Sequence, residues 1–275
     1  MSTSTGVHEF CSRLRSALAE EPSLASRTHV PKGGTVYNSG DRDQRMYIVE
    51  VGQLKTMTTA ADGKQCLLSI HTPSDTFGEL GLLDRPRQET AIAMKHSVLR
   101  QINHAKLLAI LSQDDLMNRH FTHFLMSRLL DQQVTITQLV TMDSEHRLAA
   151  TLLRIARKLG RRTAGGVYID IRLTQEDLAS MVGTTRSRVG LFLKNFREGK
   201  LVDPLPGGFM LVREDALANY VERDLAGERD LADLAALAVP TQECRPAGNP
   251  AHFALRPSGR RAPGRLGTST IERLG

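Results

Sequence analysis

Residues 173–189 read LTQEDLASMVGTTRSRV, and their pattern predicts two short helices joined by a tight turn. Thr174 and Asp177 stand three residues apart, which is the spacing of a capping box at the start of a helix. Gly183 comes next, where a tight turn needs a positive φ angle or a close backbone approach. Helix, glycine-containing turn and helix together are typical of a helix-turn-helix.

The second predicted helix carries basic side chains where such a motif meets DNA. Thr184 or Thr185 can cap its start. Its buried stripe consists of Val189, Leu193 and Phe196. Its first turn exposes Arg186, Ser187 and Arg188, and this turn is the part that reaches base edges in the major groove. An arginine fork there matches the O6 and N7 atoms of guanine.

Two interpretations of these basic residues are open. In the first, they form a solvated basic face on an ordinary helical hairpin; in the second, they contact DNA. Cations at a helix N-terminus oppose the helix dipole, so they do not stabilise the helix. Local stability therefore does not explain Arg186 and Arg188, and we expect DNA contact. Lys194, Arg197 and Lys200 lie further along the helix and suit phosphates. The candidate DNA-binding residues are Thr174, Gln175, Thr185, Arg186, Ser187, Arg188 and Lys194.

The flanking segments extend this motif to a winged helix. Residues 147–160 place apolar side chains on one helical face, and Gly160 predicts the end of that helix. Residues 167–173 alternate apolar and polar side chains, as a strand does. Residues 201–212 read as a β-hairpin, in which two prolines restrict pairing to a sheet edge.

A long helix is predicted before this region, because residues 108–142 almost lack glycine and proline. Its seam, spaced 4, 3, 4, 3, consists of Leu125, Leu129, Gln132, Ile136 and Leu139. Such a stripe needs a partner. The helix either packs on its own domain or pairs with a second copy, and we favour a parallel dimer.

The N-terminal half reads as short strands separated by glycine turns. Residues 46–49 are a strand-like run that ends near Gly52, and Asp62-Gly63 is a hairpin-turn dipeptide. Many short strands between residues 28 and 105 indicate an antiparallel barrel or roll.

Composition excludes several classes of protein. The 275 residues carry a net charge of +6, which is compatible with a nucleic-acid partner. Aromatic content of 4% without tryptophan argues against single-strand binding. Cys11, Cys66 and Cys244 form no metal or redox motif. We find no signal peptide, membrane span or catalytic signature, and expect a cytoplasmic protein that is not an enzyme and has no membrane or metal partner.

The segment 173–189 resembles the helix-turn-helix of the Crp/Fnr superfamily. Asp143 and Arg147 match the hinge that precedes it in that family, and the strands resemble a cyclic-nucleotide-binding domain. The resemblance covers about residues 20–222. It implies an α+β fold with an antiparallel β-roll (a double-stranded, jelly-roll-like β-helix), a long dimerisation helix and a C-terminal winged helix-turn-helix.

This resemblance divides the chain into five parts. They are an N-terminal segment (1–19), the β-roll (20–110), the dimerisation helix (111–142), the DNA-binding domain (143–222) and a tail (223–275). The tail is rich in Ala, Arg, Pro, Gly and Ser. A short helix can form around residues 225–237, and disorder is expected after Pro240.

The resemblance implies a transcription regulator that binds a pseudo-palindromic operator in double-stranded DNA as a homodimer, with RNA polymerase as a further partner. Ser187 and Leu191 stand where the catabolite activator has Glu and a second Arg, and Arg188 is an additional basic residue. We therefore expect a different target sequence. The alternative is a regulatory or adaptor protein that uses the β-roll without binding an operator.

Residues 77–83 match the phosphate-binding cassette of cyclic-nucleotide domains. By resemblance, Gly78, Glu79 and Leu80 would hold the cyclic phosphate and the ribose. The family's Arg-Ser or Arg-Thr pair is replaced by Glu89-Thr90, and a carboxylate repels a phosphodiester. Whether Arg85 or Arg87 compensates is open.

The effector consequently stays open between cyclic AMP or another cyclic nucleotide, another small molecule, and none. Gln132 and Gln133 lie where the activator contacts the base, so they are either effector ligands or, for Gln132 on the seam, a polar residue that specifies the dimer register. The chain lacks the cysteine cluster near the N-terminus that an iron–sulfur sensor needs, since only Cys11 lies there.

Overall fold

The computed structural model describes residues 3–222, with side chains from Glu9 onward. The predicted tail, with its short helix around residues 225–237, and Cys244 lie outside the described residues. The N-terminal half consists of helix α1 (Thr3–Glu20) and the strands β1 (Ser26–Val30), β2 (Thr35–Tyr37), β3 (Arg45–Val51), β4 (Leu54–Thr59), β5 (Gln65–His71), β6 (Thr76–Phe77), β7 (Thr90–Ala93) and β8 (Ser97–Asn103). A short 3₁₀ helix spans Pro22–Leu24 and another Glu79–Leu82.

The eight strands form the antiparallel β-roll that the sequence predicts. Two four-stranded sheets, ordered β1-β8-β3-β6 and β2-β7-β4-β5, enclose an apolar core that includes Tyr47, Leu54, Phe77 and Leu99. Asp62-Gly63 lies between β4 and β5, which confirms the predicted hairpin. Gly52 has φ 98°, and a Cβ there would lie 2.2 Å from Ser97 Oγ, so this turn requires glycine.

Two helices follow the β-roll, α2 (His104–Gln113) and α3 (Asp115–Thr141). The long helix begins at Asp115 rather than at 111, because the Asp114 carboxylate accepts hydrogen bonds from the amides of Leu116 (2.9 Å) and Met117 (3.0 Å) and so caps it. Its first turns pack on α1, where Phe10 contacts Phe121 and Phe124 at ring distances of 5.1 and 5.2 Å.

The rest of α3 is exposed in the single chain. The seam residues Leu125, Leu129, Gln132, Ile136 and Leu139 all lie at the surface. The exposed fractions of Leu129 and Ile136 are 55% and 59%. The helix thus combines both interpretations of its pattern, since its beginning packs on its own domain and its remainder leaves an apolar stripe without a partner among the described residues.

The C-terminal region has the winged helix-turn-helix order. Its elements are α4 (Ser144–Leu159), β9 (Gly160–Thr163), β10 (Gly166–Ile169), α5 (Gln175–Val182), α6 (Arg186–Glu198), β11 (Val202–Leu205) and β12 (Phe209–Val212), with a 3₁₀ turn at Pro206–Gly208. The strands are ordered β11-β12-β10-β9, so the proline-containing β11 is an edge strand as predicted. The predicted strand 167–173 ends early, at Ile169, and beyond it the Leu173 amide donates to Gly208 O (3.1 Å) outside any ladder.

The DNA-binding domain packs against the sheet of the β-roll. Leu67 and Ile70 of β5 are buried in the same apolar cluster as the helices α4, α5 and α6. Beside them, Lys55 Nζ of β4 donates to Asp177 Oδ1 of α5 at 2.7 Å. Thr174 donates to the other oxygen of the Asp177 carboxylate, through its hydroxyl (2.7 Å) and its backbone amide (3.2 Å).

The Asp177 carboxylate is stabilised in its ionised form. Burial opposes ionisation, but the hydrogen bonds from Lys55 and Thr174 outweigh it, so the pKa of Asp177 lies below its ordinary value. A carboxyl group whose pKa falls on folding stabilises the protein above its unfolded pKa, and this stabilisation is lost as the pH falls through the folded pKa.

Asp177→Asn is expected to lower the free energy of unfolding by about 1–2 kcal/mol at pH 7, because the capping carboxylate and its contact with Lys55 are lost. Urea unfolding of both proteins from pH 7 to pH 3.5 measures the difference, which should shrink below about pH 4. Glu176→Gln, one residue earlier and exposed, serves as the control. A difference that stayed constant across this pH range would contradict the role of the Asp177 charge.

Candidate functional site

The helix-turn-helix has the local geometry that residues 173–189 predict. Thr174 and Asp177 form a reciprocal capping box at the start of α5. Gly183 ends that helix with φ 73°, in the left-handed region that favours glycine. Thr185, and not Thr184, caps α6, and its hydroxyl accepts from the Arg188 amide at 3.4 Å.

Helix α6 divides cleanly into a buried and an exposed face. Val189, Phe192, Leu193 and Phe196 are buried. The exposed candidates are Arg186, Ser187, Arg188 and Lys194. Gln175 lies across from them, since its side-chain oxygen would be 3.5 Å from a Cβ at Gly190. The structure thus brings Gln175 onto the same surface, whereas the Thr174 hydroxyl is engaged in the cap.

The electrostatics of this surface favour an anion. Arg186 and Ser187 have no side-chain hydrogen bond or ion pair with any residue in the range 9–222. The Arg188 guanidinium carbon lies 5.8 Å from the centre of the Phe192 ring, and Lys194 is 3.9 Å from Glu198. Two guanidinium groups therefore stand at the positive end of a helix dipole without a local counter-charge of their own.

The hinge connects this surface to α3. The Asp143 carboxylate caps α4 by accepting from the amides of Glu145 (2.7 Å) and His146 (2.9 Å). Arg147 donates to Met142 O and, at 3.0 Å, to Val182 O in the helix-turn-helix. In addition, the seam residue Leu139 would lie 3.8 Å from a Cβ at Gly183. The end of the long helix thus lies beside the turn that positions α6.

The cassette in the β-roll has a buried arginine beneath it. Gly78 has φ 86°, and the turn from Glu79 to Leu82 follows it. The Arg87 side chain is 1% exposed and donates to Gly78 O (2.7 Å) and to Asp43 Oδ2 (2.9 Å). Its guanidinium also covers the Tyr37 ring at 4.2 Å. Arg87 therefore holds the cassette from within and is already committed to protein acceptors.

Glu89 is half-buried and lies near Glu79 of the cassette. The Tyr37 hydroxyl donates to Glu89 Oε1 at 2.8 Å. Burial raises the pKa of the Glu89 carboxyl, the Tyr37 hydrogen bond lowers it in part, and the nearby carboxylate of Glu79 raises it further. Thr90, the other residue of the substituted pair, accepts from the Ser39 amide at 3.0 Å. The carboxyl group of Glu89 thus stands where the family resemblance implies a cation for the phosphate.

Three further residues of this region, Arg128, His71 and Tyr37, were not predicted from the sequence. Arg128 of α3 donates to Thr76 O (2.8 Å) and lies 3.5 Å from Glu79, so it joins the long helix to the cassette. His71 is buried and stacked on Phe77, and burial together with the charges of Arg128 and Lys158 lowers its pKa. The sequence signal available for Arg128 was its position one helical turn before Gln132. No sequence pattern pointed to His71 or to Tyr37.

The predicted effector residues on α3, Gln132 and Gln133, are exposed, as is Leu80 in the cassette. Among residues 9–222 no group of three or more histidine, cysteine, aspartate or glutamate side chains could hold a metal ion. Within the described part of the chain, no helix is long and apolar enough to cross a membrane.

Comparison with known proteins identifies both halves of this arrangement. The family described as cyclic nucleotide-binding domain matches residues 27–114, and the family described as Crp-like helix-turn-helix domain matches residues 146–220. The CRP-like cAMP-activated global transcriptional regulator of Mycobacterium tuberculosis is 30% identical over 182 residues, which cover 66% of this chain and 81% of the relative.

Two further proteins are similar over most of their length. The cyclic AMP receptor protein of Thermus thermophilus is 27% identical over 212 residues, covering 75% of this chain and 94% of the relative. A solved structure of a CRP/FNR family transcriptional regulator from the same organism matches the fold with a TM-score of 0.59 at 21% identity, covering 72% of this chain and 98% of the other. From these matches and the order of the two domains, the chain belongs to the Crp/Fnr family of DNA-binding transcription regulators.

Proposed function

We propose that the protein reads a pseudo-palindromic operator by inserting α6 into the major groove of double-stranded DNA. The observation that carries this proposal is the first turn of α6, where Arg186 and Arg188 are exposed and Arg186 has no partner among residues 9–222. Arg186 and Ser187 would contact base edges, and Gln175, Thr185 and Lys194 the backbone phosphates. The Thr174 hydroxyl is engaged in its cap, so Thr174 would contribute through its position at the helix start.

The exposed stripe of α3 would pair with the same stripe of a second copy. An apolar face of this kind is covered in a stable protein. A two-fold axis between two copies of α3 would give the dimer two symmetry-related recognition helices. Gln132 on this seam would specify the register of the pair. Helix α3 is then the dimerisation element between a sensor domain (20–110) and a DNA-binding domain (143–222).

Regulation of transcription would come from this DNA contact and from RNA polymerase as a further partner, and not from catalysis. Such partners imply a cytoplasmic site of action. The named relatives are cAMP-activated or cyclic AMP receptors. In this chain Glu89 lies near the cassette residue Glu79, and Arg87 is committed to Gly78 and Asp43, so we propose that the cassette excludes cyclic nucleotides.

Arg186→Ala is expected to weaken binding to a selected operator by about 1–3 kcal/mol and to relax the preference at one base pair. The matched control is Lys194→Ala, whose loss should be similar for all sequences and should reduce the salt slope by about one. Fluorescence titrations with an operator selected from a random library, at several salt concentrations, measure both. Equal losses of Arg186→Ala across all sequences would contradict base reading.

Leu129→Glu combined with Ile136→Glu is expected to convert the dimer to a monomer, because two like charges per chain would be buried in the seam. Sedimentation gives the oligomeric state, and affinity for a two-half-site operator should fall at least tenfold. Val134→Glu adds a charge to an exposed position off the seam and should change neither. If the double variant stays dimeric, α3 is not the dimerisation element.

Calorimetry with cyclic AMP and cyclic GMP tests the cassette. The wild type is expected to show no binding, whereas Glu89→Arg should bind at least tenfold more tightly, because a cation then faces the phosphate. Glu89→Gln removes the charge while keeping an acceptor for Tyr37 and should lie between the two. Tight binding by the wild type would show that Glu89 is no barrier.

A further inference from the structure

A cavity of about 150 Å³ lies where the β-roll, α3 and the DNA-binding domain meet. Its apolar lining comes mainly from Ile70 of β5, Ile155 and Leu159 of α4, and Met181 of α5. Its charged lining consists of Arg128, Asp131, Arg154 and Lys158. Neither the family resemblance nor the cassette accounts for this cavity, whose walls combine an apolar surface with three cations and one carboxylate.

The cations of this cavity are incompletely neutralised by the protein. Arg128 donates to Thr76 O at 2.8 Å and lies 3.5 Å from Glu79. Lys158 lies 3.4 Å from Asp75. Arg154 makes no hydrogen bond or ion pair with residues 9–222, although it stands beside an apolar wall. Arg154 is exposed, and its guanidinium shares the cavity lining with Arg128 and Lys158, so this side of the cavity attracts an anion.

We propose that this cavity binds a small molecule that carries one phosphate or carboxylate group on a short apolar body. The anion would lie among Arg128, Arg154 and Lys158, where charge-assisted hydrogen bonds are strongest, and the apolar part against Ile155 and Met181. A cavity of about 150 Å³ holds a body about the size of benzene. The site adjoins the cassette through Arg128, which lies 3.5 Å from Glu79, but none of its lining residues belongs to the cassette.

The position of the cavity couples it to the DNA-binding domain. A bound molecule would touch β5 of the β-roll, α3 of the dimer and α4 with α5 of the helix-turn-helix at once. A ligand shifts such an arrangement only if it binds one state more tightly, and a site shared by three elements exists in full only when they are assembled. Occupancy would thus stabilise the present position of α6. This coupling rests on the proposed DNA binding, whereas the binding site itself does not.

Isothermal titration of the full-length protein with phenyl phosphate and with benzoate, at constant ionic strength, tests the site. The critical variant is Arg154→Gln with Lys158→Gln, for which we expect at least tenfold weaker binding of whichever probe binds the wild type. Arg157→Gln is the matched control, since Arg157 lies on the same helix but pairs with Glu214 (3.0 Å) outside the cavity. Arg154→Lys keeps the charge and should retain most of the affinity.

Two outcomes would overturn the proposal. One is that neither probe binds the wild type; the other is that Arg157→Gln weakens binding as much as the double variant does. Arg186→Ala separates the two sites, because it should lose operator affinity and keep the binding of the probe. Loss of probe binding in Arg186→Ala would instead locate the anion on α6 and refute the cavity.

The coupling has its own measurement. In the wild type, a saturating probe is expected to raise operator affinity at constant ionic strength, a condition that matters because DNA binding itself depends on salt. The double variant should show no such increase. An unchanged operator affinity in the wild type would refute the coupling. Failure of the wild type to bind any operator, both with and without the probe, would refute the proposed function instead.

Discussion

The carboxylate of Asp177 holds together the two halves of this molecule. It closes the start of α5 by accepting from Thr174, and the same group accepts from Lys55 of the β-roll. Leu67 and Ile70 surround this contact with apolar surface, where hydrogen bonds are stronger than in water. Because α5 positions α6 through the turn at Gly183, the direction of the recognition helix follows from a contact made on a sheet of the sensor domain.

The β-roll shows how a family fold can keep its shape while its chemistry changes. The cassette turn at Gly78 is kept, and it is stabilised from below by Arg87, which donates to Gly78 and Asp43. The Tyr37 hydroxyl donates a hydrogen bond to the Glu89 carboxyl group within the β-roll. Arg128 of the long helix contacts the cassette on one side and lines the junction with the DNA-binding domain on the other. Arg128 thus joins the cassette to this junction, in addition to the contact of Lys55 with Asp177.

Local patterns predicted much of this structure. The capping box, the turn at Gly183 and the hairpin at Asp62-Gly63 depend on residues close in sequence, so each could be recognised without the fold. The start of α3 was misjudged, since Asp114 acts as a cap only where the backbone becomes extended. The burial of Arg87 and the isolation of Arg154 depend on neighbours 9 to 44 residues away or on three separate elements, and no sequence spacing encodes them. The roles of the candidate DNA and effector residues remain predictions.

The length of helix α3 also sets the position of its two ends relative to each other. Its length runs from the cap at Asp114 to the hinge at Asp143, and its seam residue Leu139 ends against the turn at Gly183. One inserted residue would rotate everything beyond it by about 100° and advance it by about 1.5 Å. Leu139 would then leave either the seam or the turn. The number of residues in this helix therefore fixes the orientation of the DNA-binding domain relative to the exposed seam, and an insertion that preserves this orientation would have to comprise whole turns.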